Sequence, residues 1–542
     1  MASKIFMGDM PELMENILNY LNNEYHSLFS CALVSRHWCK MAIPIIWRDP
    51  FSLDSRNPVI IPIYLSSLVE TEKLILKEHG LIVDFPNTLF QYARFLEVLN
   101  LAFLNGKVIQ WIKLQLFDQQ TNNSSLKHHI INLLLKIFID GGARLIKFKL
   151  SFFNNIGEIK SEIFNLLDLN KRFFSRLEEV YVNVVRVDKP CFDKAIELLR
   201  ILAKNATKLN SFNISSLKVP PILDSDYHSK LCHEFIRIIK SQEQLRRFGL
   251  FGRPIFYIRL NDVILALESQ KKTLKEIIIY NCRYNIEFEE LINSGKLEKL
   301  DVIRIINCKG GDKMLKSLSI NHYKVTTLEI TTTYYANRLD YSVRTLNVIQ
   351  ILENSGTLLQ RFKFNLGGHE IGSQTLLIET LIAFCPNIVY LNLSTVKLSD
   401  QLLKLIGSLQ KLQFLTLYWL EDKSEIMKEL VIQLAKILPS TLQYLDLSKN
   451  LHIETFLNQC DAPLKQLIFY VDYFYKKKME ALINYYMKKR TLNEVNIVIY
   501  TKETRFYRFE DWNVSATCWI KIRQALKGHV KLLPYQSIVV NC

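Results

Sequence analysis

IVYLNL (Ile388–Leu393), LQFLTL (Leu412–Leu417) and LQYLDL (Leu442–Leu447) are three copies of one pattern, L-x-x-L-x-L, with Ile, Val or Phe allowed at the apolar letters. Side chains alternate along a strand, so the fourth and sixth letters face one side and the third and fifth the other. The same pattern starts at Leu96, Leu145, Leu177, Leu209, Leu245, Leu274, Leu300, Val325, Leu359, Leu464 and Leu492. Neighbouring starts mostly stand 22 to 36 residues apart. Leu96 and Leu145 stand 49 apart, which signals a longer helical insertion such as the apolar run Leu126–Ile139.

Helix-like stretches fill the intervals, among them Phe192–Ala203, Leu231–Lys240, Thr375–Phe384 and Glu425–Leu438. A strand followed by a helix, repeated, predicts an α/β architecture. No such unit buries its own apolar face, so the units must stack into a curved solenoid, with parallel strands on the concave side and helices on the convex side. Three units add the next polar position of a known pattern: Leu274 with Cys282, Leu300 with Cys308, and Leu442 with Asn450. The array therefore resembles the leucine-rich repeats, in an irregular form. That resemblance implies that the Asn or Cys side chain bonds backbone groups in a turn, which makes these cysteines structural residues.

The outward strand positions are candidates for recognition. Tyr390, Phe414 and Tyr444 occupy the third letter of successive units, and strands about 4.8 Å apart would stack them as a ladder. Asn392, Thr416 and Asp446 run beside them, and Ser394, Tyr418, Ser448 and Tyr470 follow each motif. Arg361 and Lys363 lie one unit earlier. Aromatic rings beside cations are the usual makings of a protein hot spot. Arg361, Lys363, Tyr390, Phe414, Tyr418, Tyr444 and Tyr470 are thus the candidate substrate-binding residues, for a peptide that is acidic or phosphorylated.

The first fifty residues are of another kind. Asp9 suits an N-cap, Glu12 can reach back to it, and Pro11 falls in the first turn. Leu13, Met14, Ile17, Leu18 and Leu21 recur at helical spacing. Asn22-Asn23 would end that helix. A second apolar run covers Leu28 to Val34, and a third short helix carries Trp38, Met41 and Ala42, with Pro44 at its end or at a kink. This is more apolar surface than about forty residues can bury alone. The segment resembles the F-box family through Met10-Pro11-Glu12-Leu13, Ile17-Leu18, Leu21, Val34-Ser35-Arg36-His37-Trp38 and Trp47-Arg48, with Met10 where the family more often has Leu. The resemblance implies docking to the Skp-type adaptor of a cullin–RING ubiquitin ligase through Pro11, Leu13, Ile17, Leu18, Leu21, Leu28, Leu33, Val34 and Trp38. The chain would then be the ligase's substrate receptor, with the repeats holding a protein target.

Composition limits the rivals. The 542 residues are 49% apolar and 23% charged, which is globular composition. The net charge of +16 is diffuse, and its densest runs, Lys476–Lys478 and Lys488–Arg490, are short, so a nucleic-acid partner is not expected. No signal peptide or membrane-spanning stretch is legible, and the ten cysteines form no C-x-x-C pair. The expected location is cytoplasmic or nuclear, with reduced thiols and no membrane partner. No phosphate-binding glycine loop, zinc motif or nucleophile elbow is present. Gly310-Gly311 and Gly367-Gly368 lack the accompanying Lys and Ser/Thr, and the adjacent pairs His128-His129 and Cys232-His233 cannot each chelate one metal. Hence no catalytic residue, cofactor or metal is expected, and the chain is not expected to be an enzyme. A ligase-independent interaction scaffold and a basic nucleic-acid-associated protein are the alternatives. The expected division is an F-box at 5–50, a linker with the start of the solenoid at 51–90, repeats at 91–500 and a cap at 501–542 that uses Trp512, Trp519, Ile520 and Ile522. Leu74-Ile75-Leu76 reads as a strand or repeat start.

Overall fold

The computed structural model describes residues 11–22, 24–52, 60–81, 85–116, 124–152, 159–185, 189–218, 225–252, 261–282, 286–293, 297–331, 345–365, 371–419, 425–447, 452–471, 475–499 and 531–532. The chain divides into two compact units, Met1–Leu274 and Lys275–Cys542.

The first unit opens with three helices, α1 (Pro11–Tyr20), α2 (Tyr25–Ala32) and α3 (Arg36–Ile46). Ser35 caps α3 by accepting a hydrogen bond from the Trp38 amide at 3.2 Å. The helix runs through Pro44, giving up one backbone bond inside its last turn. Two more helices follow, α4 (Ile60–Leu65) and α5 (Glu70–Glu78). Leu74, Ile75 and Leu76 therefore lie in a helix, not in the strand their composition suggested. Glu70 and Glu72 in its first turn and Lys77 in its last favour the helix dipole, and Leu76 alone of the three is buried.

The strands of the first unit are β1 (Val98–Asn100), β2 (Lys147–Phe152), β3 (Glu179–Val185), β4 (Ser211–Lys218) and β5 (Arg247–Phe251), each parallel to the next in chain order. Each begins two residues after the first letter of its motif. The long first interval holds two helices, Leu101–Gln115 and Ser124–Asp140. Every stacking step is closed the same way. The carbonyl of the second motif letter accepts two amides from the next strand: Glu97 from Ile146 and Lys147, Ile146 from Glu178 and Glu179, and so on. The helical module joins this series. The Arg48 carbonyl accepts from the Glu97 and Val98 amides, both at 3.0 Å, and its guanidinium meets the Glu97 carboxylate at 2.6 Å. Beside it the buried Trp47 packs against Tyr64 and Tyr92, with ring centroids 5.3 and 4.2 Å away.

The second unit repeats the plan with β6 (Glu276–Tyr280), β7 (Val302–Ile306), β8 (Thr327–Thr331), β9 (Arg361–Asn365), β10 (Tyr390–Val396), β11 (Phe414–Trp419), β12 (Tyr444–Leu447), β13 (Gln466–Val471), β14 (Glu494–Ile499) and β15 (Lys531–Leu532). All successive pairs are parallel. Helices alternate with the strands, so each unit is a solenoid-like stack of α/β elements. Short β15 falls in the stretch read as a cap. Trp512, Trp519, Ile520 and Ile522 lie outside the described residues.

One device satisfies the buried amide at the first motif letter. In three units a polar side chain from the following helix, or just past its end, reaches back to it: Gln242 to the Leu209 amide at 2.9 Å, Ser355 to Val325 at 3.1 Å and Tyr485 to Leu464 at 3.1 Å. An unpaired amide in these dry layers would cost about 1–3 kcal/mol, so these polar residues are structural despite their burial.

Candidate functional site

Helix α1 is amphipathic, and both of its faces matter. Met14 and Leu18, four residues apart, point inward and are buried. Leu13, Ile17 and Tyr20, at spacings of four and three, lie on the adjoining side, with Tyr20 92% exposed. Helix α2 divides likewise: Leu28 is buried and Phe29 is exposed. The turn into α3 then presents Leu33, 88% exposed, and Val34. Six large apolar side chains thus stand open to solvent on one short helical module. Covering each is worth about 1.5–3 kcal/mol.

Among the nine residues that the family resemblance nominated, Leu13, Ile17, Leu33 and Val34 are exposed, while Leu21 and Trp38 are half-buried. Pro11 begins α1, and its side chain lies outside the described residues. Leu18 and Leu28 must be corrected. Both are 0% exposed, so they hold the module together and cannot touch a partner docked on this surface. Tyr20 and Phe29 were missed, although Tyr20 continues the Leu13–Ile17 spacing and could have been found from it.

The second unit's sheet carries the predicted aromatic row. Register aligns Arg361, Tyr390, Phe414 and Tyr444 across β9 to β12. Ring centroids are 6.4 Å apart for Tyr390–Phe414 and 6.1 Å for Phe414–Tyr444, and the Arg361 guanidinium stands 4.7 Å from the Tyr390 ring. Two of the three rings are not available, however. Tyr390 and Tyr444 are 1% and 0% exposed, so neither can be presented to a target. Alternation specifies which face a side chain takes, not what stands over that face. Phe414 and Tyr418 are half-buried. Tyr470 lies on β13, its side chain outside the described residues, as is Ser448.

The neighbouring charges are also committed. Lys363 meets Glu329 at 2.8 Å, Glu329 meets Arg304 at 3.0 Å, and Arg304 meets Glu276 at 2.9 Å. Two cations and two carboxylates neutralise one another across four strands. On the row of Lys363, Asp446 is buried and accepts no hydrogen bond at Oδ1 among the described residues. Burial pushes its carboxyl up to about 7.

The cysteines behave as turn residues. Cys282 donates through Sγ to the Tyr280 carbonyl and Cys308 to that of Ile279, both at 3.3 Å. Asn281 and Asn307, just before them, take left-handed backbone with φ of 53° and 55°, a conformation Asn tolerates better than most residues. Asn450 lies outside the described residues. Burial pushes the Cys308 and Cys385 thiols up to about 12 and those of Cys232 and Cys460 to about 11, away from the nucleophilic thiolate. Among the described residues no three His, Cys, Asp or Glu side chains converge as metal ligands, and no helix is long and apolar enough to cross a membrane.

Residues 11–52 match the F-box-like family model, so the chain carries an F-box-like domain there. The exposed apolar side chains of α1, α2 and the following turn all lie within it. No curated protein matches the chain. A crystal structure of the Rad7 and Elc1 complex in yeast is similar over 64% of this chain and 89% of the matched one, with 14% sequence identity and a TM-score of 0.34.

Proposed function

We propose that the chain is a substrate receptor of a Skp–cullin–F-box ubiquitin ligase. The F-box-like domain docks the Skp-type adaptor, and the α/β array holds the protein target. The observation that carries this reading is the apolar surface of Leu13, Ile17, Phe29, Leu33 and Val34, left open on a module whose own core is already filled by Met14, Leu18 and Leu28. Such a face fits a helix-and-groove partner. The chain's contribution is positional. It raises the effective concentration of a target lysine near a ubiquitin-charged enzyme elsewhere in the ligase.

The test is binding of the purified chain to a Skp-type adaptor, measured by calorimetry. Ile17→Glu plus Leu33→Glu places two charges on exposed positions, so folding is retained. Burying them in an apolar interface should weaken binding by about a hundredfold or more. A wild-type chain that binds no adaptor, or a double variant that binds as well as wild type, refutes the reading.

A further inference from the structure

Positive charge is diffuse along the chain, but the fold of the first unit gathers part of it on one edge. Helices Ser124–Asp140, Ser161–Leu169, Lys189–Asn205 and Ser225–Lys240 each end in a turn that leads into the next strand, β2 to β5 in order. The strands are parallel, so the four turns share the edge at their N-terminal ends. Each turn is hydrogen-bonded to the next. The Leu145 amide donates to the Phe173 carbonyl at 2.9 Å, that of Asn210 to Glu178 at 2.8 Å and that of Glu243 to Thr207 at 2.9 Å. A fifth turn follows the helical segment Leu267–Gln270, and the Gln270 side-chain amide ties it on through the Gln242 carbonyl at 3.0 Å. The five turns form one continuous ridge.

The ridge comprises residues 140–146, 168–178, 204–210, 240–246 and 268–274, every one of them described. They hold ten lysines and arginines against five aspartates and glutamates. All ten cations are exposed. Lys204 meets Asp168 at 2.7 Å. The other nine, among them Lys171, Arg172 and Arg176 on the second turn and Lys271 and Lys272 on the fifth, pair with no carboxylate among the described residues. A helix C-terminus carries about half a negative charge, which one cation already offsets. An average of two per turn exceeds that need. Short basic runs argued against a nucleic-acid partner, but charge gathered from turns distant in sequence leaves no run to read.

The rest of the ridge narrows the occupant. Phe173 and Phe174 are buried, and Leu169 is its single exposed large apolar side chain. These turns therefore offer no aromatic platform for unstacked bases and no apolar cluster for a protein hot spot. They offer cations, which hold phosphates without reading sequence. We propose that this edge binds the sugar–phosphate backbone of a nucleic-acid duplex, independently of sequence. A duplex presents one charge per about 1.7 Å of its axis, so a ridge across five stacked turns meets several phosphates at once. This binding goes beyond the function proposed above and does not rest on it.

The full-length chain is titrated into a short fluorescein-labelled DNA duplex of mixed sequence, and anisotropy is read. The matching RNA duplex is titrated alongside to tell the two sources apart. With about five phosphates neutralised, affinity should fall by about a hundredfold or more between about 50 and 200 mM salt. Lys171→Glu plus Arg172→Glu, and separately Lys271→Glu plus Lys272→Glu, should each weaken binding by about tenfold or more. Lys404→Glu plus Lys436→Glu, the same charge change at exposed helix positions of the second unit, should cost less than about threefold. Melting temperatures of all variants confirm that these exposed substitutions leave the fold intact. Binding of neither duplex overturns the proposal, as do ridge variants that bind like wild type or a second-unit control that loses as much as they do. Polyglutamate or phosphatidylserine vesicles that displace the duplex at a lower concentration of charge would overturn it too, giving the ridge to an acidic protein or a membrane. No adaptor is present, so failure here and failure of the ligase reading are told apart.

Discussion

The strand arrays of the two units share one register, yet their outward rows differ in how far they are closed. In the second unit the outward row is mostly closed: Tyr390 and Tyr444 are buried with only Phe414 half-buried between them, and Glu276, Arg304, Glu329 and Lys363 cancel one another. In the first unit Tyr181 and Phe251 are half-buried, and Asn183 Oδ1 lacks a donor among the described residues. Stacking strands in order makes a surface but does not decide whether that surface binds. The decision lies in whether the chain's own side chains have already satisfied it.

That contrast can be tested by exchanging stability for binding at matched positions. The largest effect is expected at the buried ring. Tyr444→Ala should destabilise by about 3–5 kcal/mol, whereas Tyr181→Ala at a half-open ring should cost less than about 1 kcal/mol. Denaturant unfolding of the two variants checks this, and equal losses would erase the distinction.

Asp446 comes next. Its folded pKa of about 7 lies above the ordinary carboxyl value, so the folded chain holds the proton more tightly than the unfolded chain. The stabilisation is fully present below the unfolded pKa, near 4, and is lost as pH rises through about 7. Asp446→Asn keeps the shape and removes the charge. It should gain on the order of 4 kcal/mol over wild type at pH 8 and little at pH 4. Melting curves that move in parallel at both pH values would show that Asp446 does not carry this dependence.

Smaller effects follow from the ion pairs. Arg304→Ala strips one cation from two carboxylates that are mostly shielded, at a cost of about 2 kcal/mol. Lys147→Ala breaks an exposed pair with Glu179 and should cost under about 1 kcal/mol. If Lys147→Ala proved the costlier, the first unit's face would be no less closed than the second's.

Much of the fold was legible because the repeat is read from apolar letters, and those letters are what stacking buries. Leu96 through Leu492 each precede a strand by two residues without exception. The misreading at Leu74–Leu76 has a local cause. Three adjacent aliphatic residues suit either a strand or a helix, and only the flanking Glu70, Glu72 and Lys77 favour the latter. The interaction surfaces were less legible. A family motif lists core and contact residues together, so Leu18 and Leu28 stood beside Leu13 and Ile17 until burial separated them. The Tyr181–Phe251 contact was not legible for another reason: the two rings do not occupy one motif position, and they meet because Gly249 has no side chain.

The Arg48 carbonyl, which takes the place of one more strand ahead of β1, has a mechanical consequence. A tether between a docking module and its cargo arm would let the cargo sweep a volume. Here Arg48, two residues past the end of α3, is hydrogen-bonded into the ladder itself, so the arm begins at a fixed angle and advances by about 4.8 Å per strand. The first unit is in that sense a graduated ruler. From β1 to β5 it spans four such divisions, about 19 Å. Inserting or deleting one α/β element would displace whatever it holds by one division, a shift that, on the function proposed above, the choice of target lysine would record.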